Sequence, residues 1–335
     1  MEMQFWQALA EQLQLGKVLE APRPVTGGFL HRMARLETSS GRYAVKLLNP
    51  FIMKRETAME NYRVAERLEA KLEQTDIPIL PAMTIQGHKM QCIHGQYAYV
   101  YPWYEGKAVK PEEVTSFQAG CIGQILARIH RLEVKRQNAE LAAPQVEWKA
   151  YQEPLQKRYP EIGAHFAGLL PVLYESQKQA AQAVRHMPPV LTICHNDMDC
   201  KNVLWQGETC RIIDLECLTY ASPFTELYEM TLSWSGFETG HLDYERLKCF
   251  LQAYAGSGGL VAPDWSVIAG ASSGRLDWLR YNLDRALGID CSPQEEALGA
   301  EQVFQTLSQI AYLQQEQKKI VRCLTQALPQ KEEIL

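Results

Sequence analysis

No two of the nine cysteines, at positions 92, 121, 194, 200, 210, 217, 249, 291 and 323, are spaced C-x-x-C, and their number is odd. A reduced compartment fits that usage best. No stretch approaches the roughly 18 apolar residues of a membrane span. The leading MEMQFWQALAEQLQLG carries acids and amides where a signal peptide needs a basic segment followed by an apolar one. A basic excess is lacking as well. The formal charge is −5 and the pI near 6.0, which argues against a general nucleic-acid or anionic-membrane partner, because both need a basic surface, and leaves only a local basic site open. There is no internal repeat and no low-complexity tract. The expectation is a cytoplasmic protein, monomer or homodimer, with neither nucleic acid nor membrane as partner.

What is present is an ordinary core: 46% of the 335 residues are hydrophobic, enough for two domains or one large two-lobed one. Phe5, Trp6, Leu9, Leu13 and Leu15 fall at roughly helical spacing before Gly16. After the stiff APRPV segment and Thr26-Gly27-Gly28, Phe29, His31, Met33 and Arg35 alternate with Leu30, Arg32, Ala34 and Leu36. A turn over 38 to 41 and the strand RYAVKLL complete a hairpin. A helix follows from Pro50 to about Leu72, with Tyr62, Ala65, Leu68 and Leu72 on one face, and then strands near 82 to 86 and 96 to 102. Beyond Trp103 to Lys110 the pattern turns helical. Helices are expected over 112 to 132, with a face of Phe117, Cys121, Ile125, Ile129 and Leu132, and over 165 to 186, 224 to 235, 264 to 287 and 293 to 327.

Chemistry concentrates in Ile193 to Glu216, ICHNDMDCKNVLWQGETCRIIDLE. His195, Asp197 and Asn202 share a non-periodic turn between two apolar runs, and Asp214 ends the strand RIID, so a hairpin through Gln206-Gly207-Glu208 brings its carboxylate beside Asn202. A carboxylate and an amide oxygen suit Mg²⁺, a hard cation that prefers oxygen ligands. Asp197 is then left to accept a proton from a hydroxyl. Asp and Asn are also ordinary turn residues, and H-x-D-x-x-x-x-N alone is a short pattern. The flanking strands and the second aspartate favour the chemical reading. Lys46, in the apolar strand YAVKLL, is either an outward-facing edge residue or a buried cation for phosphate, and its alternation with Ala44 and Leu48 favours the second. Gly27 and Gly28 can bring backbone N–H groups close to phosphates, or can simply make a turn.

With Lys46 in A-V-K, His195-x-Asp197-x-x-x-x-Asn202 and Ile212-Ile213-Asp214-x-Glu216 in this order, nearly the whole chain resembles the aminoglycoside phosphotransferase and choline kinase family. LARIHRL (126 to 132) is similar to that family's helix ending in L-x-x-x-H, and YAYVYPWYEGK to its hinge. The resemblance implies an α+β, protein-kinase-like two-lobed fold. Residues 1–103 would be an N-terminal nucleotide-binding lobe with a five-stranded antiparallel sheet and a helix. Residues 104–335 would be a mainly helical C-terminal lobe with the catalytic loop and acceptor site. It further implies ATP or GTP with Mg²⁺, Asp197 as catalytic base, Asn202 and Asp214 as metal ligands, and Lys46 on the α/β-phosphates. Backbone groups of Pro102 and Tyr104 would meet the adenine; a proline suits the first place, where only a carbonyl is needed. The sequence departs from the family in having Asn196 after the histidine and Asp214-Leu215-Glu216 in place of D-F-G. Glu60 and Asn61 are alternative partners for Lys46 on the helix.

The function implied is phosphoryl transfer to a hydroxyl of a small, cationic or amino-containing acceptor. Glu216, Glu226, Glu229, Trp234, Asp277, Trp278 and Tyr281 are candidates to line its site through carboxylate and cation–π contacts, although aromatics at helical spacing also read as core. A protein kinase is disfavoured, because no long activation segment or A-P-E signature separates Asp214 from the helix near Pro223. A nucleotide-binding pseudoenzyme acting as a scaffold is the other alternative.

Overall fold

A computed structural model describes residues 3–25, 31–138, 142–261 and 264–328. The front of the chain forms α1 (Met3–Gln12), β1 (Arg23–Val25), β2 (Arg32–Thr38), β3 (Gly41–Leu47), α2 (Pro50–Met53), α3 (Ala58–Leu72), β4 (Gln91–Ile93) and β5 (Gln96–Pro102). Then come α4 (Ser116–Arg131), β6 (Val134–Arg136), α5 (Lys149–Arg158), α6 (Pro160–Ala183) and β7 (Val190–Cys194). The hairpin β8 (Val203–Gln206) and β9 (Thr209–Ile212) precedes β10 (Thr219–Ala221). Helices α7 (Pro223–Ser233), α8 (Tyr244–Gly256), α9 (Trp265–Ala271), α10 (Gly274–Ala286) and α11 (Pro293–Ala327) complete the chain.

Two compact units result, one of Met1–Val109 with His195–Thr219 and one of Lys110–Cys194 with Tyr220–Leu335. In the first, five antiparallel strands run in the order β1-β2-β3-β5-β4. One face of this sheet, with Ala34, Leu36, Val45, Leu47, Ala98 and Val100, packs against Trp6 and Leu9 of α1 and Leu13 just after it; on the other, Leu48 and Tyr99 meet Tyr62 of α3. Two backbone pairings tie the β8–β9 hairpin to this unit. Leu80 donates to the carbonyl of Ile212, which donates to that of Pro78, both at 2.8 Å; Lys107 and Trp205 exchange bonds of 2.9 and 2.8 Å.

Three elements differ from the sequence expectation for identifiable reasons. The helix over 50 to 72 is two helices, because Lys54 to Thr57 are all exposed and no buried residue holds that turn. The edge strand lies at 91–93, not 82–86. His94 (φ 48°) and Gly95 (φ 80°) form a two-residue turn with positive φ at both centres, the geometry that suits strand twist, so β4 folds directly onto β5. The helix over 264 to 287 breaks at Ser272-Ser273, ahead of Gly274. By contrast α11 starts where a Ser292/Glu295 capping box with Pro293 in the first turn places it.

In the second unit α4 begins with a Thr115/Gln118 capping box, and Ile125 and Ile129 of the expected face are buried, but the buried surface is centred on Ala119, Ile122, Leu126 and His130, leaving Phe117 and Leu132 exposed. The rotation follows from Gly123: a Cβ there would collide with the backbone carbonyl of Phe250 in α8, so the helices approach on their small residues. No helix among the described residues is long and apolar enough to cross a membrane. Replacing Gly123 by Val should cost roughly 1–3 kcal/mol by overpacking. Gly168, on α6 with nothing within 4 Å of a built Cβ, should gain about 0.5–1 kcal/mol as Ala. Thermal denaturation checks both, and equal midpoints for the two variants would contradict the close α4–α8 contact.

Candidate active site

Two turns of the first unit, one over 195 to 202 and one over 213 to 217, carry most of the polar side chains of the site. His195, fully buried, accepts the N–H of Asp197 at Nδ1 (3.3 Å). That assigns its proton to Nε2, which lies 3.2 Å from the carbonyl of Ile213. The imidazole thus braces one turn against the other. Asn196 Nδ2 adds a second tie, to the Cys217 carbonyl at 2.9 Å. Asn196 (φ 64°) and Asp214 (φ 62°) are both left-handed. Asn and Asp are the non-glycine residues that tolerate this region best, and the conformation turns the Asp214 carboxylate toward β3.

The hairpin register brings the second aspartate to the first turn. Val203 stands opposite Ile212, and the next bond, Ile213 N–H to the Asn202 carbonyl at 2.9 Å, sets Asn202 beside the Ile213-Asp214 peptide. Asn202 gives its amide hydrogens to the carbonyl and to Oδ2 of Asp197, at 2.8 and 2.9 Å, which leaves Oδ1 as the atom it can offer a cation. Asp214 places Oδ1 on Lys46 and keeps Oδ2. Two hard oxygen donors, one of them anionic, fit Mg²⁺ with phosphate and water completing the shell.

Lys46 is 5% exposed and stands opposite Met33 on β2 and Tyr99 on β5. Its Nζ lies 2.5 Å from Asp214 Oδ1 and 2.6 Å from Glu216 Oε2. Burial alone would lower this ammonium; the two carboxylates outweigh it and hold the group above the ordinary lysine range. Glu216 is shifted the opposite way: against burial, Lys46 and His31 hold its carboxyl below the usual range. His31 Nε2 is 3.1 Å from Glu216 Oε1, while its Nδ1 accepts the N–H of Asn49 at 3.0 Å and Tyr62 Oη lies 3.3 Å from Nε2.

The helix partner expected for Lys46 is therefore neither Glu60 nor Asn61. Asn61 is exposed, and Glu60 is exposed and pairs with Arg63 and Arg67. The buried face of α3 presents Tyr62, which meets His31 instead. His31 and Glu216 are the residues that sequence reasoning did not assign to the lysine. A signal was available: His31 alternates with Met33, so it shares the face of the sheet on which Lys46 lies.

Asp197 keeps about a third of its side chain open, at 35% exposure, and its Oδ1 is 3.1 Å from Lys201 Nζ, which also lies 2.8 Å from Asp199 Oδ2. Burial pushes the Asp197 carboxyl up, to about 7, with Asp199 and Asp214 adding to the rise and Lys201 opposing it. At the end of β5, Trp103 N–H bonds the Arg42 carbonyl at 3.0 Å. Alternation along an extended chain therefore turns the Pro102 carbonyl and the Tyr104 N–H away from β3. The Tyr104 ring folds over Gly106, where a Cβ would collide with it, and Arg211 Cζ lies 5.8 Å from its centroid. Gly27 and Gly28 lie outside the described residues.

In the second unit, two acceptor-site candidates are committed elsewhere: Glu226 is buried 2.7 Å from His130 Nε2, and Trp234 is fully buried. Glu229 ion-pairs with Arg275. Trp278 and Tyr281 form a tilted pair with centroids 5.6 Å apart.

The sequence pattern of the phosphotransferase enzyme family matches residues 22–270. No curated protein matches the chain. Among solved structures, spectinomycin phosphotransferase in complex with ADP and spectinomycin is 13% identical, with 98% of each chain covered and a TM-score of 0.66. A choline/ethanolamine kinase family protein from Mesorhizobium loti is 16% identical, covers 95% of this chain and 97% of its own, and has a TM-score of 0.59. Amicoumacin kinase in complex with AMP-PNP and Ca²⁺ is 13% identical over 90% and 92% of the two chains, also at 0.59. The shared fold is the kinase-like α+β one, with a small antiparallel sheet and a mostly helical remainder.

Breaking the buried cluster around Lys46 should be costly. Glu216→Ala leaves the ammonium with one carboxylate and should destabilise the protein by about 3–5 kcal/mol, whereas Glu60→Ala should stay within about 0.5 kcal/mol. Urea unfolding reads both, and a Glu60 variant as unstable as the Glu216 one would contradict the pairing.

Proposed function

Because the chain belongs to the phosphotransferase enzyme family, we propose that it transfers the γ-phosphoryl group of ATP or GTP to a hydroxyl of a small cationic or amino-containing acceptor, in the cytoplasm. The support is the single hydrogen-bonded run from Asp197 through Asn202 and the Ile213-Asp214 turn to Lys46. It joins a proton acceptor, two oxygen donors for a divalent cation and a buried ammonium.

Asp197 orients the acceptor hydroxyl and takes its proton as the new O–P bond forms. Lys46 neutralises the α/β-phosphates, exchanging contact with Asp214 for contact with phosphate oxygens. The Pro102 carbonyl and Tyr104 N–H meet the adenine edge. Asn202 Oδ1 and Asp214 Oδ2 are the atoms that would hold Mg²⁺, which would supply neutralisation of the phosphate charge. The lobes divide these tasks, with 1–103 binding nucleotide and 104–335 supplying the acceptor site. ADP in the spectinomycin enzyme and AMP-PNP with Ca²⁺ in the amicoumacin enzyme are in keeping with a nucleotide on a divalent cation.

Transfer from Mg-ATP to a panel of aminoglycosides, choline, amino alcohols and sugars tests this. Asp197→Asn should lower kcat by about 10²–10⁴-fold while nucleotide still binds, and EDTA should stop turnover. No transfer to any acceptor, with wild type and Asp197→Asn alike, would overturn it.

A further inference from the structure

Lys201 has no part in the roles assigned above, yet it is built into the centre of the site. Asp199 grips it twice: its Oδ1 accepts the Lys201 N–H at 3.1 Å, and its Oδ2 receives the ammonium at 2.8 Å. The same ammonium is 3.1 Å from Asp197 Oδ1, and the other oxygen of that carboxylate is held by Asn202. Asp199 is itself tucked in, its side chain 15% exposed, whereas the lysine keeps 40% of its side chain open. An ammonium has three donors. Two serve the carboxylates, which leaves one for a ligand.

Position decides what that ligand is. A hydroxyl that gives its proton to Asp197 lies about 2.6–3.2 Å from the accepting oxygen, and Lys201 Nζ lies at a similar distance from the same carboxylate. The ammonium and the attacking oxygen are therefore neighbours, and the phosphorus arrives at that oxygen. Charge in a loose phosphoryl-transfer transition state spreads over the three equatorial oxygens, where a fixed cation is worth most. We propose that Lys201 is a catalytic cation that contacts an equatorial oxygen of the transferring phosphoryl group, held in place by Asp199. This rests on the phosphotransferase reading of the site. In the step itself the acceptor O–H proton passes to Asp197, the acceptor oxygen bonds to the γ-phosphorus, and the bond to the β-phosphate oxygen breaks with its electron pair, releasing the nucleoside diphosphate. Lys201 keeps its protons throughout. Asp199 is a positioning residue.

The alternative, that Lys201 only neutralises two neighbouring carboxylates, would make its loss a matter of stability. The full chain with Mg-ATP and water as acceptor separates the two, by steady-state hydrolysis alongside the thermal midpoint. Lys201→Met is expected to lower kcat 10- to 100-fold with the KM for Mg-ATP within about twofold. Lys201→Arg should recover a large part of it, and Asp199→Asn, which keeps a good N-cap, should lower kcat by less than Lys201→Met. A Lys201→Met enzyme with wild-type kcat, or a loss that follows the thermal midpoint and is not rescued by Arg, overturns the role of Lys201 and leaves phosphoryl transfer standing. No Asp197-dependent hydrolysis by the wild type overturns both.

Discussion

A buried ammonium governs this structure. Lys46 lies on the face of the sheet that carries Leu48 and Tyr99 and is nearly closed to solvent. An isolated charge there would be prohibitively unfavourable, so the fold must supply carboxylates with good geometry. Supplying them draws together residues that are remote in sequence: Asp214 and Glu216 from one turn, His31 from just before β2, Tyr62 from α3. The left-handed backbone of Asp214, braced by His195 and Asn196, is part of the same requirement.

The cluster also explains why the turns around His195 and Asp214 group with the sheet. The pairings Pro78–Ile212–Leu80 and Lys107–Trp205 fix the hairpin, and the ion pairs close its far end. A cation held in this way is already desolvated and oriented. Lys201 occupies a different setting. Its side chain is 40% exposed and is held by Asp197 and Asp199.

Much of this is legible in the sequence, for reasons that can be named. The burial of Lys46 follows from alternation with Ala44 and Leu48, and the nearness of Asn202 to Asp214 follows from a hairpin whose length and turn residues fix the register. α11 is bounded by its own capping box. Alternation places His31 on the face of Lys46, but its pairing with Glu216 leaves no local trace, since the two lie far apart along the chain. The phase of α4 escapes an apolar count because its contact with α8 is made by glycine, which such a count ignores. The edge strand lies one segment later than β-propensity suggests because the positive φ of His94 decides where the chain turns back.

The measurement that bears most directly on the buried ammonium is calorimetric titration of Mg-ATP into the wild type and Lys46→Met. If Lys46 exchanges its carboxylates for nucleotide phosphate, the wild type binds and the variant, confirmed folded, binds at least about tenfold more weakly, the loss of a charge-assisted contact of roughly 1.4 kcal/mol or more. Equal affinity in the two proteins, or no binding to the wild type, would contradict the account.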